Sequence, residues 1–199
     1  MIQPDRLGQI SHWYADIGLP AQRAALDGDV TADVAIIGAG YTGLWAAYYL
    51  KKADPALNVI VLEKAFAGFG ASGRNGGWLT GGFAWNHETY AKTSGRAGVL
   101  DLVGAMNGTV DEVIRVAKAE AISADIRRTD ELVVAVNRPQ MARLSAEVHH
   151  RRHWGEEDRV YQIGAAEARA RVAVPGTLGG MIVSNVARIQ PAKLVRGLS

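Results

Sequence analysis

The sequence predicts an α/β fold, on three observations. A short apolar run, "VAII" (Val34–Ile37), leads into the glycine loop "GAGYTG" (Gly38–Gly43) and then a helical pattern. A second apolar run, Asn58 to Leu62, follows and ends in Glu63. A second glycine-rich stretch, "GFGASGRNGGW" (Gly68–Trp78), comes next, with five glycines in eleven residues. Strand, helix and strand in this order form a βαβ unit, whose crossover is right-handed.

Residues 1–30 read as an irregular lead-in, with Trp13, Tyr14 and Leu19 available to pack on a neighbour and a turn at Leu26–Asp29. The continuous apolar run Val34–Ile37 suits a parallel strand covered on both faces. A helix is expected from about Tyr41 to Ala53: Leu44, Ala47, Tyr48 and Leu50 lie near a 3.6 period, and Asp54-Pro55 ends it. Residues 87–121 read as largely helical, with Gly104 and Gly108 weakening the middle. Asp130–Asn137 reads as a strand, with Ala124–Thr129 its expected antiparallel partner. Pro139 to about Trp154 returns to helix, Gly176–Pro191 is β-like, and a further helix begins at Ala192. The expected organisation is a lead-in (1–30), a nucleotide-binding domain (31–124), part of a mixed β-sheet domain (125–186) and a return into the first domain (187–199).

Composition narrows the function. The chain has 199 residues, 48% hydrophobic and 21% charged, as in a globular protein. A formal net charge of +2 is too small to argue for a nucleic-acid partner. The absence of cysteine excludes disulfides, thiolate metal sites and a cysteine nucleophile within the chain, and is compatible with a cytoplasmic location. The N-terminus lacks the basic start and apolar run of a signal peptide. Val34–Leu50 is uncharged over 17 residues, but it is at the short limit for a membrane span and carries three glycines, so no span is expected.

The first loop carries recognisable chemistry. In Gly38-x-Gly40-x-x-Gly43, the first glycine permits the tight turn. The second lets backbone approach a pyrophosphate, and the third lets the helix pack on the strand. Tyr41 and Thr42 open the helix, whose N-terminus offers N–H groups and partial positive charge to phosphates. Glu63, twenty residues after Gly43, can accept hydrogen bonds from a ribose 2′-hydroxyl. This unit alone does not decide between NAD and FAD. The second loop points to a longer ligand, because it lays more glycine backbone beyond the first. Arg74 could neutralise a phosphate there and Ser72 could donate to one.

"DVAIIGAGYTGLWAAYYL", "VIVLEK" and "GFGASGRNGG" together resemble the N-terminal part of the FAD-dependent oxidoreductases of the D-amino-acid oxidase, glycine oxidase and sarcosine oxidase superfamily. The "SHWYAD" lead-in and "GASGRNGG" look most like the gamma-glutamylputrescine oxidoreductase branch. The resemblance is strong over residues 11–82 and diffuse beyond. It implies a three-layer FAD/NAD(P)-binding, Rossmann-like domain followed by the start of a substrate domain. It implies that Gly38, Gly40 and Gly43 surround the pyrophosphate and that Glu63 holds the ribose, with Lys64 bordering the adenine. Ser72 and Arg74 would meet the diphosphate or ribityl chain, and Asn75, Gly76 and Gly77 the flavin ring. The implied reaction is dehydrogenation of a C–N bond in a small amine or amino acid. Relatives that attach flavin covalently use histidine or cysteine; Arg74 and Asn75 stand here instead, so non-covalent FAD is expected. Family members are longer, so the chain reads as an N-terminal portion, and no catalytic residue is assigned. The alternatives are a non-catalytic nucleotide-binding module and an NAD-dependent dehydrogenase, the latter disfavoured by the second loop.

Other constellations carry less. His149 and His153 have metal-ligand spacing on a helix but no third ligand, so no metal site is expected. Asp111, Glu112, Arg115 and Lys118 read as a solvated face. Trp78, Trp85 and Tyr90 could line a cleft but suit packing better, and His87 reads as structural or exposed. Ser72 and Ser184 lack a histidine–acid pair.

Overall fold

The computed structural model describes residues 10–21, 23–82 and 86–199. In chain order its elements are α1 (His12–Ile17), β1 (Val34–Ile37), α2 (Tyr41–Ala53), β2 (Val59–Leu62), a short 3-10 turn (Ala71–Gly73), β3 (Trp78–Leu79) and α3 (His87–Ala119). There follow β4 (Arg127–Ala135), α4 (Arg138–His153), β5 (Val160–Gly164), α5 (Ala165–Arg171), β6 (Gly179–Arg188) and α6 (Pro191–Gly197). The chain forms two compact units. The first holds residues 1–77, 116–126 and 189–199, and the second holds 78–115 and 127–188.

In the first unit, β1 and β2 pair in parallel, with Val34 opposite Val59 and Ile37 opposite Leu62. The helix between them is the expected crossover. Ala39 and Leu44 of the loop and helix pack with Val195 of α6, against Val61 and Ala67. Lys51 and Lys52 lie in the last turn of α2, where the helix dipole favours cations. Beyond the helix, the Asp54 carboxylate accepts from Ala56 N–H at 2.9 Å. The stretch that could be mistaken for a membrane span is thus divided between a strand, a loop and a helix. Among the described residues no helix is long and apolar enough to cross a membrane. One expectation is met on a single face only. Val34 and Ile36 are half-buried, whereas Ile37 is 90% exposed, because no described residue covers the second face of β1 there.

The second unit is built on β6, which pairs antiparallel with β3, β4 and β5. Alternation along β6 sends Met181 and Val183 into a core with Leu144 and Val148 of α4, and Ile182 into one with Ile163 and with Ala168 of α5. The N-cap of α4 is Asn137, whose side chain accepts from Gln140 N–H at 2.9 Å, and Pro139 occupies the first turn. Residues 127–129 do not form a separate hairpin strand. They continue β4 as one strand facing β6, with an irregularity between Thr129 and Glu131. Asn185 lies opposite this irregularity with φ +58°, and Arg128 bonds both its side chain and Asp111. Hydrogen bonds from Arg128 and then Asn185 hold the Asp111 carboxyl below its ordinary range. The break in α3 falls at Gly95 (φ +65°, ψ 177°), while the expected weak points Gly104 and Gly108 remain helical.

Candidate dinucleotide site

The site begins at the turn from β1 to α2. Gly38 N–H donates to Leu62 O at 2.7 Å, which ties the loop to β2, and its φ of +100° selects glycine. Gly43 is a matter of space. A Cβ there would lie 2.1 Å from Gly38 O and 3.1 Å from Ile36 Cγ2. Gly40 is the N-cap of α2 and has no side chain to cap it, and the first turn holds no acidic residue. By helix geometry the amides of Thr42 and Gly43 have no intrahelical acceptor, which leaves them for an anion.

Glu63 and Ser72 are engaged with the first loop itself. The Glu63 carboxylate accepts from Ala39 N–H at 2.9 Å and from Ala65 N–H at 3.0 Å. It therefore braces the glycine loop, and each oxygen keeps lone-pair capacity for a ribose hydroxyl. Ser72 Oγ accepts from Tyr41 N–H at 2.9 Å, so one hydroxyl of the second loop caps the helix that the first loop opens. That hydroxyl retains its own proton to donate to a phosphate oxygen. Tyr41 O–H donates to Pro191 O at 3.0 Å, and burial pushes its pKa well up, so it stays neutral.

The remaining candidates cluster on the second loop. Arg74 donates from Nε to Phe69 O at 2.6 Å, with its guanidinium 4.6 Å from the Phe69 ring centroid. Asn75 donates to Ser72 O at 3.0 Å and accepts from Gly77 N–H at 2.9 Å. Lys64 and Gly76 are exposed, and Gly77 is buried. An added Cβ at Gly38, Gly70 or Gly76 would meet no atom within 4 Å, so backbone on both loops faces open space. Uncapped helix amides, open glycine backbone and a carboxylate at the end of β2 fit a dinucleotide.

The other candidates of the sequence stand elsewhere. Trp78 begins β3 and is 72% exposed, Tyr90 packs on the cluster of Val99, Val103 and Trp154, and Trp85 lies outside the described residues. Ser184 Oγ donates to Arg159 O at 3.3 Å. Among the described residues no group of three or more His, Asp or Glu is placed to hold a metal ion. His87 is buried, stacked on Trp154, with Nδ1 3.1 Å from His150 Nε2.

Burial, then the adjacent His150, lowers the His87 pKa, although Glu156 and Glu88 oppose the shift. A histidine depressed in the folded state binds fewer protons than in the unfolded state. Its stabilising contribution is complete above the unfolded pKa of about 6.5 and is lost as pH falls through the lower folded value. We expect the melting temperature to fall more steeply with acidification below pH ~6.5 in the parent than in His87→Asn. An NMR titration placing the His87 pKa at or above 6.5 would refute this.

The family description "FAD dependent oxidoreductase" (DAO) matches residues 33–199, and the chain belongs to that family. It is 31% identical over 188 residues to gamma-glutamylputrescine oxidoreductase of Escherichia coli (strain K12), covering 94% of this chain and 43% of that protein. Among solved structures, it resembles L-amino acid deaminase from Proteus myxofaciens, with a TM-score of 0.65 and 16% identity, over 90% of this chain and 37% of that one. It also resembles glycine oxidase from Geobacillus kaustophilus, with a TM-score of 0.62 and 20% identity, over 84% and 43%. The chain thus spans less than half the length of these relatives.

Proposed function

We propose that these residues hold FAD non-covalently, as part of a flavoprotein that oxidises the C–N bond of an amine or amino acid, with a gamma-glutamylputrescine-like amine as the leading substrate. The observation that carries this reading is the pair of glycine loops joined at the start of α2, by Ser72 to Tyr41 and by Glu63 to Ala39. A single pyrophosphate needs only the first loop. The second loop adds open glycine backbone at Gly70 and Gly76, which would suit a ligand longer than one pyrophosphate, such as FAD. The cofactor, when bound, supplies the redox chemistry by accepting a hydride. The chain's share is to bind and orient it. Amides of Thr42 and Gly43 would face phosphate oxygens, Ser72 would donate to one of them, and Glu63 would accept from the ribose. The lack of cysteine supports non-covalent attachment.

The test is visible absorption of the purified protein before and after acid precipitation. Yellow colour released to the supernatant is expected; colour kept in the pellet would mean covalent flavin. Gly40→Val should abolish FAD uptake, since its first side-chain atom already meets Ser72 Oγ at 3.1 Å. Glu63→Ala should weaken FAD binding roughly 10- to 100-fold, the worth of a hydrogen bond to a charged group. Because Glu63 also braces Ala39 and Ala65, the same change should cost about 1–3 kcal/mol of stability. Stoichiometric flavin in both variants would place the cofactor elsewhere.

A further inference from the structure

The second glycine loop is held from behind by a segment that the dinucleotide reading leaves unused. Ser11 Oγ donates to Gly73 O at 2.9 Å, Trp13 Nε1 to Asn75 O at 2.7 Å, and Tyr14 O–H to Gly68 O at 3.1 Å. Three side chains within four residues of sequence thus take three carbonyls of one loop. Tyr14 is 1% exposed, packs edge-on against Phe66, and lies under the Arg196 guanidinium. The segment is itself anchored. Gln190 Nε2 donates to Trp13 O at 3.0 Å, and Arg196 donates to Ile17 O and Gly18 O at 3.2 and 2.6 Å.

Two glycines of the loop answer to this segment as well as to any ligand. A Cβ at Gly73 would lie 2.5 Å from Tyr14 Oη, and one at Gly77 would lie 3.3 Å from the Trp13 ring. The bond from Trp13 also sets a direction. In a planar trans peptide the N–H lies opposite the C=O. Fixing Asn75 O against Trp13 therefore turns the Gly76 N–H away from the lead-in, and the open space around Gly76 leaves room for a ligand atom there.

We infer that Ser11, Trp13 and Tyr14 are positioning residues that clamp the second glycine loop and aim its Gly76 N–H at the cofactor. The clamp is a property of the loop, whereas the aim rests on the FAD reading above. Tyr14→Phe removes one donor and keeps the ring, and Trp13→Phe removes one donor and keeps an aromatic side chain of smaller size at a half-buried position, so the core survives. Hydrogen exchange of residues 68–77 is measured in the flavin-free 199-residue chain, and FAD affinity by titration. Each variant is expected to exchange roughly fivefold faster across the loop, as for one net hydrogen bond, with α2 unchanged. FAD should bind roughly three- to tenfold more weakly to Trp13→Phe, with a shifted visible spectrum for the bound flavin. Unchanged loop exchange in both variants overturns the clamp. Faster exchange with unchanged FAD affinity and spectrum overturns the aim. A parent chain that takes up no FAD while its loop responds as expected sinks the flavin reading and upholds the clamp.

Discussion

Gly43→Ala is expected to lower stability by about 2–3 kcal/mol and to abolish FAD uptake, the larger of the two effects to look for in the first unit. The added methyl would sit 2.1 Å from Gly38 O, a backbone atom that Leu62 O fixes through the Gly38 amide. Neither α2 nor β1 can shift without breaking the parallel register or the packing of Leu44 on Val195. In a chain of this size the cost corresponds to a fall in melting temperature of roughly 4–12 °C. Gly104→Ala is the control. It lies inside α3 with nothing within 4 Å of an added Cβ, and should gain about 0.5–1 kcal/mol from helix propensity. Equal melting temperatures for the two variants would show that the loop does not hold α2 against β1.

Glu156→Ala should destabilise the second unit by about 3–5 kcal/mol, because it strands buried positive charge. Glu156 accepts two bonds from Arg151, at 2.7 and 2.8 Å, and stands 3.7 Å from Arg159. All three side chains are largely buried. Removing both charges of the tightest pair is the informative comparison. Glu156→Leu combined with Arg151→Met should recover part of the loss, since a buried pair replaced by apolar groups of similar volume is often tolerated. Chemical denaturation of the single and double variants measures this. A loss below about 1 kcal/mol for the single change would mean that water reaches the arginines.

The parts of this fold that the sequence discloses are those fixed by local chemistry. The bounds of α2 were legible because glycine opens it and Asp54-Pro55 closes it, and β6 because a long β-like run has few other solutions. The parts it conceals depend on partners distant in sequence. Nothing local marks His12–Ile17 as a helix; its Trp13 and Tyr14 side chains bond the second loop, and its Trp13 and Ile17 carbonyls accept from Gln190 and from Arg196 of α6. β5 alternates too weakly to be read, and its pairing with β6 decides it. Gly104 and Gly108 read as weak points of α3, yet the break falls at Gly95, since glycine spacing alone does not tell which residue takes a positive φ. In the candidate site, residue types and spacing proposed the first glycine loop, Glu63, Ser72 and Arg74, and the family resemblance implied the roles of Lys64, Asn75, Gly76 and Gly77. Spacing could not reveal that Glu63 and Ser72 also bond the first loop, because those bonds span 24 and 31 residues.

The anchoring of the lead-in also bears on the order in which the molecule is made. Trp13, Ile17 and Gly18 are bonded by Gln190 and Arg196, across 177 to 179 residues of sequence. At translation rates of about 5–20 residues per second, the interval between synthesis of the two ends is roughly 10–35 s. During that interval Trp13 and Tyr14 lack the side chains that secure them. Loop closure over so long a span comes late in folding. The βαβ unit can form early on the ribosome, but the loop that Ser11, Trp13 and Tyr14 hold cannot reach its final shape until residue 196 has emerged.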